Sequence, residues 1–141
     1  MRFYIFSIII SILLSGCKKE KKHPVPDVPV YESINIYDAE YNDLINPYGI
    51  ATIKNAGFEG NGIIVVNLGN DEFIAYDATC TYEVKKDCKV SPDPNSMTIV
   101  KCNCCGTKYE VTYGSVSDGV APYPLKTYKT SFDGEYLRVY N

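Results

Sequence analysis

The stretch KCNCCGTKYE, residues 101–110, places three cysteines within four positions. Cys80 and Cys88 lie upstream, so five of the chain's six cysteines fall within 26 residues. Five is an odd number, and disulfide pairing alone would therefore leave one thiol free. Cys102 and Cys105 also have the C-x-x-C spacing of metal-binding knuckles. The stretch indicates metal ligands, a disulfide staple or a combination of the two.

The N-terminus has the features of an export signal. Arg2 precedes an apolar run over residues 3–14, which is short for a membrane span and suits the core of a signal peptide. The following Leu14-Ser15-Gly16-Cys17 resembles the lipobox of bacterial lipoproteins, in which the cysteine is lipidated and becomes the first residue after cleavage. This resemblance implies a signal peptide over residues 1–17 and lipidation of Cys17. It also implies a location in the bacterial cell envelope, on the outer membrane or facing the periplasm, where the acyl chains anchor the protein.

Residues 18–30, KKEKKHPVPDVPV, combine charges with three prolines and show no hydrophobic periodicity. This composition predicts a semi-extended tether. Its four lysines either contact anionic head groups of the membrane or are simply solvated. His23, the only histidine of the chain, lies in this segment.

Residues 31–141 have the length of one ordinary domain with its own core. They contain nine of the fourteen Lys and Arg residues and fifteen of the seventeen Asp and Glu residues, a formal charge of −6. An acidic domain without a basic stripe argues against a nucleic-acid partner.

Short apolar segments separated by turn residues predict that this domain is all-β. Asp133-Gly134 is typical of a hairpin tip, because the turn needs a positive φ. A single helical turn is predicted around residues 39–41. The predicted strands cover residues 34–37, 50–53, 63–66, 72–76, 97–101, 125–130 and 135–140.

Two cysteine boxes resemble those of Rieske iron–sulfur domains, which read C-x-H-x-x-C and C-P-x-H-G-S/T. Cys80-Thr81-Tyr82, with Cys88 further on, corresponds to the first box, and residues 102–107, CNCCGT, to the second. The resemblance implies an antiparallel β sandwich of Rieske type with a small rubredoxin-like cluster-binding subdomain. It implies a membrane-anchored electron carrier with a redox partner protein rather than a catalyst by itself. The downstream match includes Lys108-Tyr109, Gly114-Ser115-Val116, residues 119–121 and Pro124-Leu125.

The resemblance also implies roles for single residues. Cys80 and Cys102 match the two thiolates on one iron of a [2Fe-2S] cluster. Tyr82 and Cys105 stand where two histidines would hold the other iron. Cys88 and Cys104 match the disulfide that joins the two cluster loops, although Cys88 lies eight residues after Cys80 rather than five. Thr107 matches a hydroxyl that hydrogen-bonds the cluster, and Tyr109 matches a phenol that donates to a ligand sulfur. Such donors raise the reduction potential of the cluster.

An ordinary Rieske centre needs two histidines, and residues 31–141 contain none. Three alternatives follow. Cys80, Cys102 and Cys105, with Tyr82, Cys88 or Cys104 as the fourth ligand, hold a [2Fe-2S] cluster. A similar set holds a tetrahedral zinc ion. Alternatively, no metal is bound, and the cysteines are disulfides that staple a Rieske-fold binding or structural lipoprotein in an oxidising envelope.

Overall fold

The computed structural model describes residues 22–141. The predicted signal peptide, Cys17 and the first part of the predicted tether lie outside the described residues. Within the described part, no helix has the length and apolarity needed to cross a membrane. The predicted all-β fold is confirmed, since ten strands and two short 3-10 helices make up the regular structure of these residues.

The strands are numbered in chain order, and the two 3-10 helices cover Asn42–Ile45 and Phe58–Gly60. The bounds are β1 Tyr31–Asn35, β2 Ile50–Ile53, β3 Ile63–Gly69, β4 Glu72–Asp77, β5 Val90–Pro92, β6 Ile99–Cys102, β7 Lys108–Glu110, β8 Val116–Asp118, β9 Thr127–Phe132 and β10 Tyr136–Tyr140.

One antiparallel sheet has the strand order β1-β10-β9-β4-β3-β2, and strand β3 is buried on both of its faces. Ile63 and Val65 pack into one hydrophobic core, and Ile64 and Val66 pack into a second. Side chains of a strand alternate between the two faces, so a run of four β-branched residues can supply both cores. Burial of each such side chain stabilises the fold by about 1.5–3 kcal/mol.

The second core lies between this sheet and a smaller antiparallel sheet with the order β5-β6-β7-β8. Tyr76 links the two, because its fully buried ring packs there and its hydroxyl donates a 3.0 Å hydrogen bond to the Val111 carbonyl. Gly114 has a φ of 66°, and a Cβ at this position would lie 2.6 Å from the Tyr76 ring. The close approach of the two sheets therefore requires glycine here. The smaller sheet carries the cysteine boxes on its loops.

The observed strands match the predicted ones most closely where apolar residues dominate. The strand at residues 50–53 is confirmed at both ends. Strand β1 starts at Tyr31 rather than at residue 34, because Tyr31 pairs with Tyr140 at the end of β10. The turn predicted around residues 39–41 is confirmed, and the 3-10 helix over Asn42–Ile45 follows it directly. Strands β5, β7 and β8 are three residues each, too short to show a periodicity, and cross-strand pairing defines them.

Residues 22–30, called the N-terminal arm below, contact the domain. Val25 and Val30 are buried, with exposed fractions of 1% and 6%. The Val30 amide donates to the Asn141 side chain at 3.1 Å, and the same side chain donates to the Val28 carbonyl. The described part of the predicted tether therefore packs on the domain along its length.

Candidate metal centre

Cys80 lies in the loop after β4, and buried polar side chains hold that loop in place. Asp77 ends β4, is fully buried, and accepts hydrogen bonds from the amides of Phe58 and Thr79 and from the Tyr128 hydroxyl, at 2.6–2.8 Å. Because its carboxylate satisfies three donors, Asp77 fixes the point at which the loop leaves the sheet.

Asn61 braces the other end of the same loop. Its side-chain amide donates to Thr79 Oγ1 and to the Lys85 carbonyl, both at 3.0 Å, and its oxygen accepts from the Asp87 amide at 2.8 Å. Asn61 is only 4% exposed. Neither Asp77 nor Asn61 was identified from the sequence, because single polar residues next to apolar strands are common in turns as well.

The second box forms a tight turn between β6 and β7. The Cys102 amide donates to the Thr107 carbonyl at 2.8 Å, and the Gly106 amide donates to the Cys102 carbonyl at 3.1 Å. Gly106 has a φ of 75°, in the left-handed region that favours glycine. The Cys104 amide points at Cys102 Sγ at 3.4 Å.

The two loops bring three thiols together. The Sγ atoms of Cys80, Cys102 and Cys105 all lie within 4.8 Å of one another. Those of Cys80 and Cys105 are 3.4 Å apart. Cys80 and Cys102 are buried, whereas Cys105 is partly exposed. The three residues that the sequence predicted as metal ligands therefore form one cluster.

The structure contains the disulfide between Cys88 and Cys104 that the resemblance implies, with the two Cα atoms 5.5 Å apart. It ties the loop after β4 to the second box. The pairing removes both residues from the predicted alternatives for a fourth ligand, because a disulfide sulfur is not a thiolate. Glu83 lies close to Cys88 and Cys104. Because these two cysteines form a disulfide, this group of three residues offers no free thiol to a metal ion.

Thr107 connects Cys105 to the neighbouring loop. Its hydroxyl oxygen accepts from the Cys105 thiol at 3.2 Å and from the amides of Val120 and Ala121 at 3.2 and 3.3 Å. A Cβ on Gly119 would lie 2.6 Å from the Thr107 Cα. This close approach fixes the loop of residues 119–125 against the thiol cluster.

Tyr109 is fully buried, and its hydroxyl lies 2.9 Å from Thr81 Oγ1. The Thr81 hydroxyl donates its one proton to the Tyr123 carbonyl at 2.8 Å, so Tyr109 is the donor in the bond to Thr81. The resemblance implied a donor to a ligand sulfur, and the structure instead directs this proton to Thr81. Burial, with the nearby Cys80, raises the pKa of Tyr109 to about 12.

The thiols of Cys80 and Cys105 differ in acidity. Burial raises the pKa of Cys80 to about 12. Burial acts in the same direction on Cys105, but its hydrogen bonds with the side chain and backbone of Thr107, together with those to Cys80 and Cys102, bring the pKa of Cys105 below its ordinary value. Cys105 is therefore the more acidic thiol of this pair, and it is the most accessible of the three free cysteines.

The residues present do not fit an ordinary Rieske centre. His23 uses both ring nitrogens elsewhere, because Nδ1 accepts from the Val25 amide at 3.1 Å and Nε2 donates to the Pro124 carbonyl at 3.0 Å. The three thiols supply three of the four protein ligands that a cysteine-bound [2Fe-2S] cluster needs. Tyr82, the remaining predicted candidate for the fourth ligand, is 56% exposed.

The same thiols also fit one face of a tetrahedral metal ion. With metal–sulfur bonds of about 2.3 Å, the sulfurs of such a site lie roughly 3.8 Å apart. The distances in the cluster, 3.4 Å for one pair and below 4.8 Å for all, bracket this value. The donor set can therefore hold a thiolate-bound metal, with one position left for another ligand.

Comparison with solved structures gives matches to Rieske proteins. The cyanobacterial plasma membrane Rieske protein PetC3 from Synechocystis PCC 6803 is 24% identical, with a TM-score of 0.55, over 82% of this chain and 100% of that chain. A chain in the complex of reduced oxygenase and oxidized ferredoxin in carbazole 1,9a-dioxygenase is 18% identical, with a TM-score of 0.53, over 79% and 93%.

The ferredoxin of carbazole 1,9a-dioxygenase from Nocardioides aromaticivorans is 16% identical, with a TM-score of 0.51, over 81% of this chain and 98% of that chain. No protein-family model and no curated protein sequence matches the chain. At these identities the similarity concerns the fold, and the fold agrees with the cysteine boxes. The chain therefore contains a divergent Rieske-like domain.

Proposed function

We propose that this protein is an electron carrier of the bacterial cell envelope, anchored by a lipid on Cys17, with a [2Fe-2S] cluster as its redox group. The observation that carries the proposal is the convergence of Cys80, Cys102 and Cys105 within 4.8 Å, on the two loops that correspond to the Rieske boxes. When bound, the cluster supplies reversible one-electron chemistry. Thiolate in place of neutral imidazole adds negative charge, which lowers the reduction potential below Rieske values.

The chain's own residues bind the cluster and limit its exposure. Cys80, Cys102 and Cys105 would hold the cluster, and Tyr82 is the candidate for the fourth ligand. The Cys88–Cys104 disulfide keeps the two loops together. We also propose that the protein has a redox partner protein. The similar structure from carbazole 1,9a-dioxygenase supports this proposal, because it is a complex of an oxygenase with a ferredoxin.

The test is an analysis of metal and sulfide in protein purified without oxygen. We expect about two irons and two acid-labile sulfides per chain, with a coloured absorption spectrum. The variant Cys102→Ser should lose the colour, whereas the matched variant Ser117→Ala, on the exposed strand β8, should keep it. Colourless and iron-free wild-type protein would contradict the proposal.

A second candidate is a binding or structural module with the same fold and either zinc or no metal. The zinc form is favoured by the presence of three free thiols, rather than four, among the described residues, because a tetrahedral ion can take its fourth ligand from outside this set. The stapled form predicts fewer free thiols than these three. The sample used for iron analysis separates these outcomes. Zinc without sulfide supports the zinc form, whereas metal-free oxidised protein with at most one free thiol in the domain supports the stapled form.

A further inference from the structure

The N-terminal arm is bound to the domain by a buried lysine. Lys126 Nζ donates to the carbonyls of Val25 and Pro26 at 3.3 and 2.7 Å and to Asp27 at 2.5 Å. The Lys126 side chain is only 10% exposed, so these bonds are partly shielded from water. Val25 is buried beside them. A buried ammonium needs such partners, and the arm supplies three.

The start of the arm lies at the thiol-bearing end of the domain. His23 bonds to the Pro124 carbonyl, and its ring lies 6.2 Å from the ring of Tyr123. The loop that contains Tyr123 and Pro124 is the one that contacts Thr81 and Thr107 beside the thiols. The opposite end of the larger sheet contains the β9–β10 hairpin, where the Tyr37 hydroxyl donates to the Gly134 carbonyl.

Chain length then limits how far this end can move from Cys17. Six peptide units separate Cys17 from His23 and span at most about 20 Å. A domain of about 110 residues is roughly 35 Å across, given a radius of gyration near 13 Å. A docked arm therefore excludes the inverted orientation, in which the far end of the domain rests on the lipid and the thiol-bearing end points away from it. An undocked arm, free up to Tyr31, would span about 45 Å and would allow any orientation.

We propose that the docked arm holds the thiol-bearing end of the domain against the lipid surface in which the acyl chains of Cys17 are embedded. The inference rests on the lipidation of Cys17 proposed above and is independent of which metal is bound. Residues 18–22, KKEKK, carry a net charge of +3 in the short connection, so anionic lipids are the surface that fits. The centre would then serve a partner located in or on that membrane.

The chain has no tryptophan, so single-tryptophan variants report orientation without background. Val120, next to the thiols, and Tyr37, at the far end, are both 59% exposed and make a matched pair. The lipidated full chain with Val120→Trp or Tyr37→Trp is reconstituted into anionic vesicles that contain a dansyl-headgroup lipid. We expect energy transfer from position 120 to be several-fold greater than from position 37. Equal transfer from the two positions, or greater transfer from position 37, would overturn the proposal.

The role of the arm is tested by Lys126→Met in both reporters, which keeps the apolar stem and removes the ammonium. Val25→Ser, which replaces a buried apolar side chain of the arm, is a second variant that should release the arm from the domain. We expect the ratio of transfer to fall towards one, whereas Lys129→Met, which removes an exposed lysine, should leave it unchanged. A ratio that both arm variants leave unchanged would overturn the role of the arm. Mass spectrometry separates the two proposals, since absence of acyl chains rejects the anchor itself, whatever the metal content.

Discussion

Cys80 Sγ and Cys105 Sγ lie 3.4 Å apart, although 25 residues separate them in the chain. One thiol is fully buried and the other is partly exposed. This pair joins the loop after β4 to the second box, in parallel with the disulfide between Cys88 and Cys104. The two loops are therefore linked once by a covalent bond and once by a cluster of free thiols.

The metal-free, reduced domain should be alkylated first at Cys105. Its pKa is lowered and its sulfur is accessible, whereas burial raises the pKa of Cys80 to about 12. We expect Cys105 to react with iodoacetamide at least about tenfold faster than Cys80 at neutral pH. Mass spectrometry of peptides at successive times measures this, and equal rates would contradict the assigned environments. Bound metal should protect both thiols.

Loss of the Cys88–Cys104 disulfide should destabilise the domain. The bridge closes a loop with a sequence separation of 16 residues, for which chain entropy predicts about 3 kcal/mol. The double variant Cys88→Ser/Cys104→Ser should lower the free energy of unfolding in urea by about that amount. Reduction of the wild type provides the control, because it should cause a similar loss. A change below about 1 kcal/mol would show that the folded loops do not depend on the bridge.

Histidines at the two departing positions should restore a Rieske ligand set. In Tyr82→His/Cys105→His, two thiolates and two imidazoles face the same site, as in the C-x-H and C-P-x-H-G boxes. We expect a [2Fe-2S] cluster on reconstitution, with a reduction potential between about −150 and +300 mV rather than near −400 mV. The single variant Tyr82→His is the matched control. Failure of the double variant to take up iron and sulfide would show that the loops no longer accommodate the cluster.

Asp77 should be one of the most sensitive polar positions outside the thiol cluster. It is fully buried and accepts three hydrogen bonds. Asp77→Asn replaces one acceptor oxygen by an amide NH2 group, which can only donate, and should lower the free energy of unfolding by about 2–3 kcal/mol. Tyr128→Phe removes one donor only and should cost about 1–1.5 kcal/mol. An Asp77→Asn variant as stable as wild type would contradict the role of the carboxylate.

Docking of the arm should weaken in acid. A hydrogen bond and the charge of Lys126 lower the pKa of Asp27 below its ordinary 3.8. A lowered folded-state pKa means that this contribution is complete above pH 3.8 and is lost as the pH falls through the lowered value. The NMR signal of the Val30 amide, which donates to the uncharged side chain of Asn141, should therefore be constant near neutrality and shift only in acid. In Asp27→Asn this acid shift should be absent, and its persistence there would assign it to another group.

Patterns within short segments predicted much of the fold. The β-branched run of β3 and the Asp133-Gly134 tip produce the expected strand and hairpin, because side-chain alternation and turn geometry are local properties. Strands β5, β7 and β8 were missed, since three-residue strands exist only through their partners. The buried roles of Asn61 and Asp77 were missed for the same reason. Apart from the Thr79 amide beside Asp77, their hydrogen-bond partners lie 18–51 residues away.

The sequence by itself determined the class of fold, the two boxes and the absence of histidine from residues 31–141, because spacing and residue type are properties of the chain. Only the tertiary structure decided which thiols are free, which are paired, and that the arm docks through Lys126 beside the thiol-bearing loops. Those outcomes depend on distances between segments far apart in the chain. Such distances are set when the two sheets pack together, and the order of residues alone does not contain them.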